Sequence, residues 1–213
     1  MDFLPSIATL LAFAAATLLL AATPGPDMTL SISRALAQGK KAALFVVLGT
    51  SLGIVVHTML VAFGVSALIT ASPTAFLILK TGGAAYLLWL AVQAIRYGSK
   101  FSVNKVEGSK GTPLANISSG FWVNLLNPKV IIFFMTFLPQ FVSAGDPAVT
   151  QKLLFLGFCF IVIGMPVNAA VVFAADWLAS WLQNNKKVLR GMDFTFAGVF
   201  SVFAAKILLT QAR

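Results

Sequence analysis

Apolar positions along this chain fall into long runs from which charged residues are almost absent. A helix rises ~1.5 Å per residue, so about 20 mainly apolar residues cross a ~30 Å hydrocarbon core. Six stretches read as spans on this measure: 3–23, 42–70, 74–95, 117–141, 153–182 and 194–209. The second and fifth are long enough to tilt, and the sixth is the shortest. The pattern predicts an all-α integral membrane protein of six transmembrane helices in a single domain, 1–213. The first run starts almost at Met1, with Asp2 as its only early side-chain charge. A signal peptide would carry a basic leader there, so the run reads as a retained helix.

Composition agrees with lipid contact. The 213 residues are 59% hydrophobic and 10% charged, with a mean hydropathy of +0.92. A soluble domain carries about 25% charged residues. The net charge of +9 would suggest a nucleic-acid partner in a soluble protein, but here the basic residues punctuate apolar runs, which points to topology and to no nucleic-acid role. Arg34, Lys40 and Lys41 follow run one; Arg96, Lys100, Lys105 and Lys110 follow run three; Lys186, Lys187 and Arg190 follow run five. The gap near Ser72-Pro73 has none. Basic residues accumulate in cytoplasmic loops, so alternate basic gaps fit six spans with both termini outside.

The longest gap, 96–112, is polar and contains Gly98, Gly108 and Gly111. It reads as a cytoplasmic linker between halves of about 1–95 and 113–213. Three spans per half is an odd number, so the second half enters the membrane from the other side. Two related halves would form an inverted repeat, a common transporter plan.

Two helix breaks carry the candidate chemistry. In Thr23-Pro24-Gly25-Pro26-Asp27 the prolines remove donors and clash with the preceding turn. A half-helix starting near Pro26-Asp27 would expose N–H groups to an anion, while Asp27 itself could hold a cation, an ammonium group or a proton. The plainer alternative is that Asp27 only caps an interfacial helix. Asn127-Pro128-Lys129 breaks run four in the same manner. Counted from Ile117, Lys129 lies ~18 Å into the core, where a charge costs at least ~2.5–3.5 kcal/mol and faces a cavity or a partner. Its alternative is to snorkel toward the surface. Asn124, one turn earlier, and Asn127 would add polar walls.

The remaining polar residues have plain readings beside functional ones. Gly49 and Gly53 form a GxxxG that lets another helix approach. His57 shares their face, as a proton relay or simply hydrogen-bonded to a neighbouring helix. Asp176 reads either as a buried proton site or as a partner for a basic residue near the interface. Gly157, Gly164 and Pro166 suggest a kinked or flexible fifth helix, with Asn168 just beyond, and Trp177 and Trp181 read as interface anchors. Cys159 alone cannot form a disulfide or a cysteine metal site. With one histidine and no phosphate loop, neither a metal, another cofactor nor direct ATP use is expected, and too few polar residues cluster to suggest an enzyme.

From Thr23-Pro24-Gly25-Pro26-Asp27 onward, the chain resembles the LysE/RhtB family of bacterial amino-acid exporters. The likeness runs through Arg34, Gln38-Gly39-Lys40-Lys41-Ala42-Ala43, the Gly49/Gly53 pair and Leu79-Lys80-Thr81-Gly82-Gly83-Ala84-Ala85-Tyr86-Leu87. It continues through Gly120-Phe121 and Asn124-Leu125-Leu126-Asn127-Pro128-Lys129 to Phe137-Leu138-Pro139-Gln140-Phe141. The final third matches more loosely. The resemblance implies a six-helix exporter in the bacterial inner membrane, driven by an ion gradient. It leaves the substrate open among homoserine, threonine, leucine, lysine and related compounds. With no second intramembrane acidic cluster in the pattern, neutral amino acids are favoured over cationic ones. A passive channel with the same cavity and an exporter of cationic amino acids are the alternatives. Homo-oligomer formation is left open.

Overall fold

The computed structural model describes residues 4–97, 111–143 and 145–211. The expected linker therefore lies almost wholly outside the described residues. Among those described, all regular structure is helical.

The first run is one bent pair. Helix α1 (Ile7–Ala22) opens at Ser6, whose hydroxyl accepts from the Thr9 N–H at 3.2 Å. It ends where Pro24 and Pro26 withdraw the next N–H donors. Helix α2 (Pro26–Gln38) then leaves at 51° to α1 and stops at Gly39, whose φ of 88° suits a residue without a Cβ. Two long helices follow, α3 (Lys40–Ala71) and α4 (Pro73–Tyr97). The fourth run repeats the bend. Helix α5 (Pro113–Leu125), capped by Thr112, gives way at Leu126-Asn127 to α6 (Pro128–Ile132). That helix widens into a π turn (Phe133–Phe137) and tightens into a 3₁₀ turn (Leu138–Phe141), and the pair is bent by 52°. The chain closes with α7 (Val149–Phe173), α8 (Ala175–Asn184) and α9 (Lys186–Gln211).

Among the described residues, α3, α4 and α7 are each long and apolar enough to cross a membrane, and the two bent pairs raise the number to five if each is one span. The sixth expected run lies within α9, whose first turns carry Lys186, Lys187, Arg190 and Asp193. The fifth run is shorter than the apolar pattern predicts. It stops at Phe173, and α8 begins as a separate helix after Ala174. The cause is visible in the residues: Asp176, Ser180 and Asn184 recur at a spacing of four, so α8 is amphipathic rather than apolar all round. Its Ala175, Ala179 and Leu182 pack with Met28 and Ile32 of α2 and Leu189 of α9. Pro166 leaves α7 continuous.

Two kinds of packing hold the bundle. Helices α3 and α5 touch backbone to backbone: a Cβ at Gly49 would stand 2.0 Å from the Ile117 carbonyl oxygen, and one at Gly120 would stand 2.2 Å from that of Val46. Small residues permit such approach where hydrophobic burial cannot drive association. Elsewhere the core is aromatic, with Phe13, Phe133, Phe134, Phe137 and Phe200 fully buried. Phe133 meets Phe137 at 4.8 Å and Phe160 at 5.3 Å between ring centroids. Large side chains such as Ile7, Leu60, Phe63, Ile78 and Val202 point outward and exposed, as a lipid-facing surface requires.

The helix ends sort by charge. Asn116 of α5 donates to Gln38 Oε1 of α2 at 3.2 Å. The Arg190 guanidinium of α9 donates to the carbonyls of Ala94 and Ile95 at the end of α4, and the Lys40 ammonium lies 5.8 Å from the Phe173 ring at the end of α7. Arg34, Lys40, Lys41, Arg96, Lys186, Lys187 and Arg190 thus gather at one end. At the other, Lys80 donates to the Val142 carbonyl at 3.1 Å and Ser66 pairs with Thr150 at 2.6 Å.

Candidate functional site

Helices α2 and α5 each have 13 residues between the basic end and their break. At 1.5 Å per residue both breaks lie ~20 Å from that end, near mid-bundle. There the fold brings together four of the polar residues singled out by sequence. Asp27, in the first turn of α2, accepts from Asn124 Nδ2 at 2.7 Å on one carboxylate oxygen and from Asn127 Nδ2 at 3.0 Å on the other. Its carboxylate therefore faces across to the second break instead of capping α2, which has no side-chain cap.

Asn127 serves two groups. While its Nδ2 holds Asp27, its Oδ1 accepts from the Lys129 N–H at 3.0 Å and caps α6. These two bonds fix the orientation of its amide. Asn124 is fixed only on its donor side: its Oδ1 is buried and has no hydrogen-bond partner. Its backbone carbonyl lies 3.5 Å from His57 Nε2. His57 is buried, and its ring is tilted 31° to that of Phe134 with centroids 5.6 Å apart.

Lys129 does not snorkel. Its ammonium donates to the Thr23 carbonyl at 2.6 Å. That oxygen ends α1, where the proline break leaves carbonyls without intrahelical donors and where the helix dipole favours a cation. The side chain runs past Gly25, at which a Cβ would stand 3.6 Å from Lys129 Cδ and Nζ. Pro24 is buried behind this contact, while Pro26 and Pro128 are exposed. The broken helices thus exchange polar groups: the second supplies amides to the acid of the first, and its lysine covers the carbonyl left free by the first.

A cavity of about 50 Å³ adjoins the network, lined by Asp27, Asn124, Asn127 and Lys129 with Thr50, Ser51 and Asn168 among others. The hydroxyls of Thr50 and Ser51 both donate to the Val47 carbonyl, at 2.8 and 2.9 Å, which turns their lone pairs outward. A larger cavity of about 440 Å³ lies beyond Lys129, against Tyr86, Trp89, Gln93, Asp193 and Phe200. Lys129, Thr23 and Leu20 line both. Asp176 stands apart, exposed in the first turn of α8. Among the described residues, no cluster of His, Cys, Asp and Glu could hold a metal ion.

The apolar runs give no sign of Asp193, which precedes the sixth by one residue. The helical register does. Leu189, Asp193, Ala197, Phe200 and Ala204 fall on one face of α9, and all five are buried.

Residues 18–211 match the family model described as LysE type translocator. The chain is 30% identical over 195 residues to a homoserine/homoserine lactone efflux protein of Salmonella typhimurium, covering 92% of each. It is 25% identical over 185 residues to a leucine efflux protein of an Enterobacter species, covering 86% of this chain and 87% of that one. An uncharacterized membrane protein of Vibrio cholerae is 29% identical over 209 residues, covering 95% of this chain and 97% of its own length. No solved structure matches.

Proposed function

The chain belongs to the LysE type translocator family, and on that premise we propose that it exports a small neutral amino acid from the bacterial cytoplasm across the inner membrane. The observation that carries the reading is the pairing of Asp27 and Lys129 at mid-bundle, each following a proline that opens a half-helix and both lining one cavity. A zwitterion presents an ammonium and a carboxylate. Asp27, with the unpartnered Asn124 Oδ1 beside it, would meet the ammonium. Lys129, already drawn off to a carbonyl it can surrender, would meet the carboxylate. Homoserine and leucine appear in the names of its relatives, and both are neutral zwitterions.

The reading includes six spans arranged as two inverted three-helix repeats, with α9 as the sixth and the basic end in the cytoplasm. Support comes from the nearly equal bends of 51° and 52° and from how the helices pair. If α1, α3 and α4 correspond to α5, α7 and α9, a two-fold axis turns the α1–α7 contact into the α5–α3 contact and leaves α3–α7 and α4–α9 unchanged. All four pairs are in contact. Coupling to proton entry is part of the proposal, since a proton and the substrate ammonium can occupy Asp27 in turn.

Liposomes containing the protein and an imposed proton gradient test this. Labelled threonine, homoserine or leucine should accumulate against its own gradient, and an uncoupler should stop it. Asp27→Asn and Lys129→Ala should each abolish accumulation with insertion intact. Accumulation of lysine alone would refute the substrate, and downhill flux indifferent to the gradient would favour a channel.

A further inference from the structure

The space beside Asp27 is too small for an amino acid in this conformation. Ligand pockets for small molecules occupy about 300–1,000 Å³, against about 50 Å³ there and about 440 Å³ on the other side of Lys129. The larger cavity is mostly apolar but, among the described residues, is lined by one acidic side chain, Asp193, which is only 3% exposed. Asp193 is already engaged within the protein, and the two oxygens of a carboxylate have lone pairs for a further donor. The same cavity holds Gln93 of α4 and, at its inner wall, Lys129.

Its position matters as much as its size. Asp193 lies one turn beyond Arg190, which is tied to the α4 carbonyls of Ala94 and Ile95 at the basic end. Lys129 and Thr23 lie at mid-bundle. The cavity therefore runs from near the basic end to the broken helices, and the 2.6 Å bond from Lys129 to the Thr23 carbonyl stands between it and the smaller cavity.

We infer that the 440 Å³ cavity is a second substrate subsite, in which Asp193 binds the ammonium of an α-amino acid and Lys129 attracts its carboxylate before the substrate reaches Asp27. The inference rests on the exporter reading and adds where substrate waits. Among the described residues, each compartment then offers one carboxylate and shares one lysine. That arrangement matches a neutral zwitterion twice over, and a dicationic amino acid in neither.

The test reads occupancy rather than transport. In the full-length Cys159→Ala protein, a single cysteine replaces Ala94, which lines the larger cavity, and its alkylation by a maleimide is timed. Threonine, homoserine and leucine are the probes, and their N-acetyl derivatives, which lack the ammonium, are the controls. The free amino acids should slow alkylation saturably and the N-acetyl forms should not. Asp193→Asn should raise the half-protecting concentration about tenfold or more, the loss expected for one hydrogen bond to a charged group, and Asp193→Glu should restore part of it. Asp27→Asn should stop transport and leave protection in place. Absence of protection, or equal protection by the N-acetyl forms, overturns the subsite. So does unchanged protection in a folded Asp193→Asn protein. If Asp193→Asn does not fold, the comparison of free with N-acetyl probes in the unsubstituted protein decides. Transport that depends on Asp27 without protection at position 94 sinks only this inference, and protection without transport sinks only the exporter reading.

Discussion

Gly53→Ala is the substitution for which the geometry makes the sharpest demand. A Cβ at Gly53 would stand 2.5 Å from Asn124 Oδ1 and 3.0 Å from its Cβ and Cγ. Ordinary contact begins at 3.4 Å, so the amide must retreat by about 0.9 Å. Its bond to Asp27 is 2.7 Å long, and a retreat of that size directed away from Asp27 would carry it past 3.5 Å, where the bond is lost. A hydrogen bond to a charged group contributes about 1.5–3 kcal/mol, so substrate export should fall roughly 10- to 150-fold. Helix propensity acts in the other direction, because Ala favours a helix over Gly by about 0.8–1 kcal/mol; a loss therefore cannot be assigned to a weakened α3. The assay is initial-rate export from liposomes, with insertion checked by size-exclusion profile. Gly64→Ala is the control on the same helix, since nothing lies within 4 Å of its Cβ position, and it should behave as wild type. Wild-type export by Gly53→Ala, in a folded protein, would refute the claim that Asn124 must hold Asp27.

Orientation is open to single-cysteine labelling in the Cys159→Ala background: Ser72→Cys and Ser143→Cys should react with an impermeant reagent from outside, and Asn185→Cys only after permeabilisation. The reverse would invert the topology and the direction of transport. At the end opposite the basic cluster, Asp146 accepts from Lys152 and from the Ala148 N–H. Burial raises its carboxyl, but those bonds and the Lys152 charge outweigh it and hold the carboxyl below its ordinary range. Its stabilisation of the first turn of α7 is thus present above that ordinary value and is lost as pH falls through the depressed one. Amide exchange over 149–152, corrected for intrinsic rate, should rise in acid in the unsubstituted protein and already at neutral pH in Asp146→Ala. An acid-insensitive turn would remove this role.

Much of the architecture was legible because its causes are local. Apolar length, the prolines at 24, 26 and 128 and the basic gaps act on their own segments, through transfer free energy, missing N–H donors and loop charge. Helices end and restart at those prolines. The fifth run shows the limit of counting apolar residues: 175–182 is hydrophobic in sum, but its polar positions recur with a helical period and the segment became α8. Tertiary structure decided what the charges do. Asp27 is bonded to amides 97 and 100 residues away, and Lys129 to a carbonyl 106 residues away. Gly53, legible as a packing residue, became the wall behind Asn124. The register of α9 puts Asp193 on an otherwise apolar face, and the packing of α9 against α4 turns that face inward. A side chain's partner across the bundle depends on how helices cross and rotate, which is a property of the whole packing and of no single segment.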